Sequence, residues 1–341
     1  MPHRYGQATR RSHHPFRLLI AVALLIAAFA WINAAAAQSP KKFKLALGDI
    51  ATIESLNLMI ALDRAKQRGV EVEIVQFKSE DIATQAVLNG QADLGQGTPY
   101  AVIQKVNAPV RMFFLMQTLQ FFPIVDKTAY KSWKDLDGQE MVVHSRGSGT
   151  EAMANVMAQT NGIKYKSISY VPGSEVRALA MLKGNIKATF VDLSNRNLIM
   201  REAPDKFMVL PMGDVKASDE ALFARKEVLD ANKDAIAVLV EEMLTVWRSI
   251  NKDPSFVVAE RKRLNLLRDL PPKLEEEVLP YYKQGVENGI FPNDGGGEKA
   301  AQNDILFFTT SGALKGTPAE LKAEDFWYFE PLKHALAKVG S

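Results

Sequence analysis

A chain of 341 residues, 47% of them hydrophobic, is long enough for two domains with separate cores, and its lack of cysteine excludes a disulfide framework, a thiolate metal site, a cysteine nucleophile and a lipid anchor on cysteine. The formal net charge of +3 belongs to the N-terminus: removing Arg4, Arg10, Arg11 and Arg17 from the 42 basic residues leaves 38 against 39 acids. The rest of the chain is close to neutral, which gives no support to nucleic-acid binding.

Basic residues up to Arg17 precede an apolar run over 18–32, and small residues follow with Ala35 and Ala37 in an A-x-A arrangement. These three parts predict a secretory signal peptide over residues 1–37, cleaved between Ala37 and Gln38, and hence a periplasmic mature protein. The apolar run is short for a membrane span. Arg10-Arg11 leaves the export route open between the general and twin-arginine pathways.

Lys42 to Leu47 alternates and stops at Gly48, which predicts a first strand followed by the turn Gly48 to Thr52. Thr52 or Ser55 caps a helix running to Arg68, with Leu56, Met59, Ile60, Leu62 and Ala65 on one face. Gly69 ends it. Val70 to Phe77 is a second strand, and Ser79 caps a helix that ends at Gly90. Ala92 to Leu94 is a short strand. Gly95-Gln96-Gly97 is a turn, and Thr98-Pro99 starts the next helix. Val110 to Met116 is a further buried strand. Strands alternating with helices predict a mostly parallel sheet.

A change of register at Phe121-Phe122-Pro123 opens a second half with the same grammar. Its strand Met141 to His144 runs into SRGSGT (145–150) and a helix to Gln159. The strand Ser167 to Val171, the helix Ser174 to Leu182, Gly184, and the strand Lys187 to Val191 follow. The helix–Gly–strand–turn phrase of 86–100 thus returns at 178–195. Phe207 to Leu210 and Leu222 to Ala224 predict returning strands. Helices are predicted over 231–250, 254–267, 273–288 and 298–308.

Four segments follow strand ends and should face a cleft, because open α/β sheets bind ligands beyond the carboxyl ends of their strands. They supply the candidate ligand-binding residues Asp49, Ala51 and Thr52; Gly97, Thr98 and Tyr100; Ser145, Arg146, Ser148, Gly149 and Thr150; and Asp192 and Ser194. In 145–150 two glycines admit close backbone approach, Ser148 or Thr150 can cap, and the helix start offers N–H donors. With Arg146 beside them, these features predict an anionic ligand group at Ser145 to Thr150. Asp192, like Asp93, also suits a structural role, accepting backbone N–H groups across its turn. Phe121 and Phe122 suit either a pocket wall or a hinge core.

The leader, LNGQADLGQGTP, the hinge, LDGxxMVV, SRGSGTE, VPGSEVRALAMLKGNIKATFVD and the helical tail with WRSINKDPSFV come in an order that resembles type II periplasmic solute-binding proteins of ABC importers, in the nitrate/sulfonate/taurine-binding family. The resemblance implies an α/β protein of two lobes, each a mostly parallel sheet flanked by helices, with the ligand cleft between them. It also implies that the second lobe, 119–221, is inserted into the first, 42–118 and 222–341. The function it implies is capture of a small solute by hinge closure and delivery to a membrane permease with its ATPase. The protein would act as a monomer, with no cofactor, no metal and no nucleic acid. A secreted enzyme or a sensor-linked receptor on the same fold is the alternative.

Catalytic motifs are absent. His144 and Ser145 are adjacent strand residues and point to opposite faces. Gly147-Ser148-Gly149 lacks the spacing of a nucleophile elbow, and neither an HExxH motif nor a phosphate-binding loop occurs.

Overall fold

β1 (Lys41–Leu47) starts with exposed lysines and ends in the buried run Leu45-Ala46-Leu47, as a strand does when it enters a sheet covered on both faces. A computed structural model describes residues 1–3, 40–213 and 215–340. The expected leader, apart from its first three residues, lies outside the described residues. Contacts divide the chain after Pro40, and every strand and helix among the described residues lies in the unit from Lys41 on. No helix among the described residues is long and apolar enough to cross a membrane.

After β1, a 3-10 turn capped by Thr52 leads into α1 (Leu56–Gln67), followed by β2 (Val70–Gln76), α2 (Glu80–Leu88), β3 (Leu94–Gly97), α3 (Tyr100–Val106) and β4 (Val110–Thr118). The second run is β5 (Phe122–Asp126), β6 (Glu140–Val143), α4 (Gly149–Asn161), β7 (Ser167–Tyr170), α5 (Ser174–Leu182), β8 (Ala188–Val191), α6 (Leu193–Glu202) and β9 (Phe207–Val209). β10 (Ser218–Arg225) precedes the helical tail of α7 (Lys226–Ala231), α8 (Lys233–Lys252), α9 (Ser255–Leu264), α10 (Val278–Glu287), α11 (Gly297–Thr310) and α12 (Glu330–Val339).

The strands form two five-stranded sheets, ordered β2-β1-β3-β10-β4 and β7-β6-β8-β5-β9. Each has three parallel strands and then an antiparallel one, β10 in the first and β5 in the second. The antiparallel strand of each sheet arrives directly from the other sheet, so the chain crosses between the sheets twice, between Thr118 and Phe122 and between Val209 and Ser218. This α/β architecture is the one expected. Two details differ. Gly95 to Gly97, expected as a turn, is strand and pairs with Phe223, Leu222 and Ala221. A Cβ on Gly95 would stand 2.3 Å from the Phe223 ring, so glycine is needed there for packing rather than for turning. The returning strand also begins at Ser218, four residues earlier than expected.

The core of the first sheet is sealed by α8, whose buried stripe Ile236, Val240, Met243, Leu244, Trp247 and Ile250 recurs at helical spacing. Trp247 is fully buried, stands edge-on to Phe114 at 5.5 Å, and donates its indole N–H to the Met116 carbonyl at 2.7 Å. Emptying that site to alanine costs about 3–5 kcal/mol. On the same helix, Glu241 and Glu242 receive Arg68 at 2.6 and 2.8 Å, with Arg64 on Glu242 and Lys338 on Glu241, tying α1, α8 and α12 together. Burial raises both carboxyls, but the bonds from their basic partners outweigh it and hold them below the usual range.

Candidate functional site

The ends of β1, β3, β6 and β8 and the start of β10 converge on one cavity between the two sheets. Because β10 runs antiparallel, its first residues lie at the same edge as the last residues of its neighbours. The cavity has an outer chamber of about 820 Å³ and a narrow inner recess of about 60 Å³, which meet at Leu47, Asp49, Glu54, Gln96, Ser174, Asp192 and Glu220. The outer chamber falls in the size range of small-molecule sites. Leu198, Leu267 to Pro271 and Leu274 also line it. The recess reaches Glu80, His144, Arg177 and Asp219.

Of the candidates, the structure brings Asp49, Ala51, Thr52, Asp192 and Ser194 to the outer chamber and Ser148, Gly149 and Thr150 to the recess. Asp192 caps α6. Its carboxylate accepts the Asn195 N–H and amide side chain, each at 2.8 Å, and the Ser194 hydroxyl at 2.8 Å. Burial pushes this carboxyl up, but the hydrogen bonds from Asn195, Ser174 and Ser194 outweigh burial and hold it below the usual range. The structural role considered for Asp192 and its place on the cavity wall therefore coexist.

Five candidates lie outside the cavity. Gly97 and Thr98 continue β3 and its exit. Tyr100 is fully buried in the core, donating to Asp304 at 2.7 Å and accepting the Trp327 indole N–H at 2.6 Å. Ser145 is buried, with its hydroxyl unpartnered. Arg146 is exposed and lies 5.1 Å over the Tyr170 ring.

Within 145–150 several donors already have partners in the loop. Glu151 already accepts the Gly147 N–H at 2.6 Å. The Ser148 hydroxyl donates to the Ser145 carbonyl at 2.8 Å, and Thr150 Oγ1 accepts the His144 N–H at 3.0 Å. These donors are engaged within the loop, whereas the Ser145 hydroxyl is not.

The cavity instead carries carboxylates that no local sequence signal singles out. Glu54 lies in the 3-10 turn Ile53–Ser55, Glu80 opens α2, and Asp219 and Glu220 follow Ser218 at the start of β10. Gly48 permits this crowding, because a Cβ there would stand 2.5 Å from Glu80 Cα. Burial first, then the charges of Glu220, Asp49 and Asp81, push Glu80 up to about 8. Burial pushes Glu220 up to about 7 against a hydrogen bond from Gln96. Burial and neighbouring carboxylates raise Glu54 and Asp219 well above their usual range. Asp49 and Glu175 are also raised, chiefly by burial.

Arg177 is the basic side chain of the recess. It is 1% exposed, and its guanidinium donates to the Phe190 and Val171 carbonyls at 3.1 and 2.8 Å. Burial lowers it to about 10, with Asp192, Asp49, Glu175 and Glu80 opposing. Neither its position in the first turn of α5 nor the acids at the starts of α2 and β10 carried a local signal that marks a cleft. Among the described residues no group of three or more His, Asp or Glu side chains is placed to hold a metal.

The family model described as NMT1/THI5 like matches residues 65–255. No curated protein matches the chain. Among solved structures, the chain is similar to a protein from Bordetella bronchiseptica RB50 (21% identity, 88% of this chain and 98% of that one, TM-score 0.70). It is also similar to the periplasmic nitrate-binding protein from Synechocystis PCC 6803 (13% identity, 88% and 89%, TM-score 0.67). A third is the zinc-bound ligand-binding component of an ABC-type import system from Staphylococcus aureus (16% identity, 86% and 99%, TM-score 0.66). At these identities the likeness speaks for the fold. Because the family model spans more than half of the sequence, from within α1 to the start of α9, the chain belongs to the NMT1/THI5-like family.

Proposed function

We propose that this protein is the periplasmic substrate-binding component of an ABC importer, which takes up a small molecule in the cleft between its sheets and delivers it to a membrane permease and its ATPase. The observation that carries the reading is the cavity of about 820 Å³ formed by strand ends of both sheets, in a chain that crosses between those sheets only at 119–121 and 210–217. Two crossings make a hinge. The lobes it joins would be 42–118 with 218–341, and 119–217, the second boundary moved from 222 so that β10 stays whole. Solved relatives of the fold are named as nitrate-binding and ABC-import ligand-binding proteins.

The reading is of a binding protein rather than an enzyme. The hydroxyls of Ser148 and Thr150 are engaged within their loop, and His144 Nδ1 accepts the Gly173 N–H at 3.2 Å rather than a nucleophile's proton. The protein would act as a monomer.

Native mass spectrometry of protein purified from the periplasm should reveal a carried small molecule. Small-angle scattering before and after its removal should show a smaller radius of gyration in the loaded state. An unchanged radius at saturation sinks the hinge, and a protein retained in the membrane with Met1 intact sinks the periplasmic assignment.

A further inference from the structure

We propose that the ligand of this cleft is a small organic cation, with its protonated nitrogen against Asp49, Glu54, Asp192 and Glu220 and its apolar body on the wall of the outer chamber. The inference rests on the substrate-binding reading above and names the substrate class.

Charge is the first observation. The recess is lined by Asp49, Glu54, Glu80, Asp192, Asp219 and Glu220, against the single guanidinium of Arg177. The neighbours felt by Glu54 are Asp192, Asp219 and Glu220, all of its own sign. Gathering like charges in a partly desolvated cleft costs free energy that a bound cation removes. An anion would enter the recess against this field.

Gln96 gives a second, independent observation. Its side chain is 5% exposed, lines both chambers and gives its amide N–H to Glu220, while Oε1 is buried without a partner. A carboxylate only accepts, so the amide turns its NH2 group that way and leaves its oxygen to the cavity. A buried acceptor among acceptors calls for a ligand rich in N–H donors. Ammonium, amidinium and guanidinium groups supply donors and charge together.

Size and wall chemistry separate an organic cation from a metal ion. The outer chamber is far larger than a coordination sphere, and Ile50, Leu198, Leu267, Leu270 and Leu274 line it together with Arg201, Arg268, Asp269 and Glu277. The apolar side chains suit a carbon skeleton, and no metal-holding group occurs among the described residues.

The test uses the periplasmically exported protein, stripped of any passenger, and charge-matched probes: benzamidine with benzamide and benzoate, tyramine with 4-hydroxyphenylacetate, agmatine, taurine, nitrate and zinc chloride. At least one of the organic cations should raise the melting temperature and bind by calorimetry where its uncharged or anionic counterpart does not. Glu54→Gln and Glu220→Gln should each weaken that cation about tenfold or more. Both variants should keep an apo melting temperature at or above wild type, because each removes a repelled charge; this confirms folding apart from binding. Binding by benzoate, 4-hydroxyphenylacetate, taurine or nitrate alone, or by zinc alone, overturns the cation. Equal affinity for the cation in both variants also overturns it, as does a panel with no binder. If an anion binds and contracts the protein in scattering, the substrate-binding reading stands and only the cation falls. If no probe binds and native mass spectrometry finds no passenger, both fall.

Discussion

The Arg177 guanidinium stands 3.4 Å from His144 Nδ1, both side chains buried at the inner end of the cleft. Burial and the Arg177 charge push the imidazole down to about 4, with Asp81 and the Gly48 carbonyl working the other way. Because Nδ1 accepts from Gly173, the neutral ring carries its proton on Nε2. Nitrogen NMR, with His144→Gln to assign the resonance, should show this tautomer at every pH above about 5. A midpoint at the ordinary 6.5 refutes it. The unfolded chain binds the proton more readily between 6.5 and about 4, so His144 contributes stability that is lost as pH falls through that window.

Tyr100 spends its hydroxyl in the core, not in the cleft. Tyr100→Phe leaves the buried Trp327 indole N–H without its acceptor and removes one donor from Asp304. The expected cost is about 1–3 kcal/mol in urea denaturation, with ligand affinity unchanged. Weakened binding at unchanged stability would return Tyr100 to the site.

The architecture was legible because each half repeats a helix–glycine–strand phrase, and strand ends in such sheets point to the cleft. Asp49, Thr52, Asp192 and Ser194 were found this way. Asp219 and Glu220 were not, since they reach the cleft only because β10 runs antiparallel, a long-range fact with no local mark. Arg177 is buried by the packing of α5 against β8 and His144, which no local pattern marks. Gly95 and Gly97 mimic a turn locally, yet pairing with Phe223 and Ala221 of β10, 128 and 124 residues away along the chain, makes them strand. Arg146 was singled out beside the loop glycines, whereas its side chain is exposed over Tyr170 and Glu151 takes the Gly147 N–H.

Arg146→Ala should therefore leave the affinity for the bound cation unchanged within about twofold. Its contact with the Tyr170 ring is exposed and contributes about 0.5–1 kcal/mol, so the melting temperature should fall slightly. Calorimetry with the variant decides between this and the anion loop, which requires a loss of about tenfold or more.

Glu80 and Glu220 face the same recess from α2 and β10, and their titration gives apo stability and cation binding opposite slopes with pH. Burial is the main cause of both shifts. Around Glu80 stand Glu220, Asp49 and Asp81, with only Arg177 opposing; around Glu220 stand Asp49, Glu80, Asp219 and the Gln96 amide. The folded values of about 8 and about 7 lie above the ordinary 4.5, so the folded protein holds protons that the unfolded chain has released. Their contribution to stability is complete below 4.5 and is lost as pH rises through 7 and 8. His144 opposes this only below 6.5. Between pH 6.5 and 8 the apo melting temperature should therefore fall, and Glu80→Gln should flatten the fall. A cation pairs with the ionised carboxylates, so its binding expels those protons and its affinity should rise across the same window, by up to about tenfold per pH unit for each proton released. Calorimetry and thermal melts of one preparation at the two pH values measure both slopes. An apo protein that gains stability toward pH 8 would mean that the carboxylates are not crowded, and a cation whose affinity falls toward pH 8 would mean that it does not sit among them.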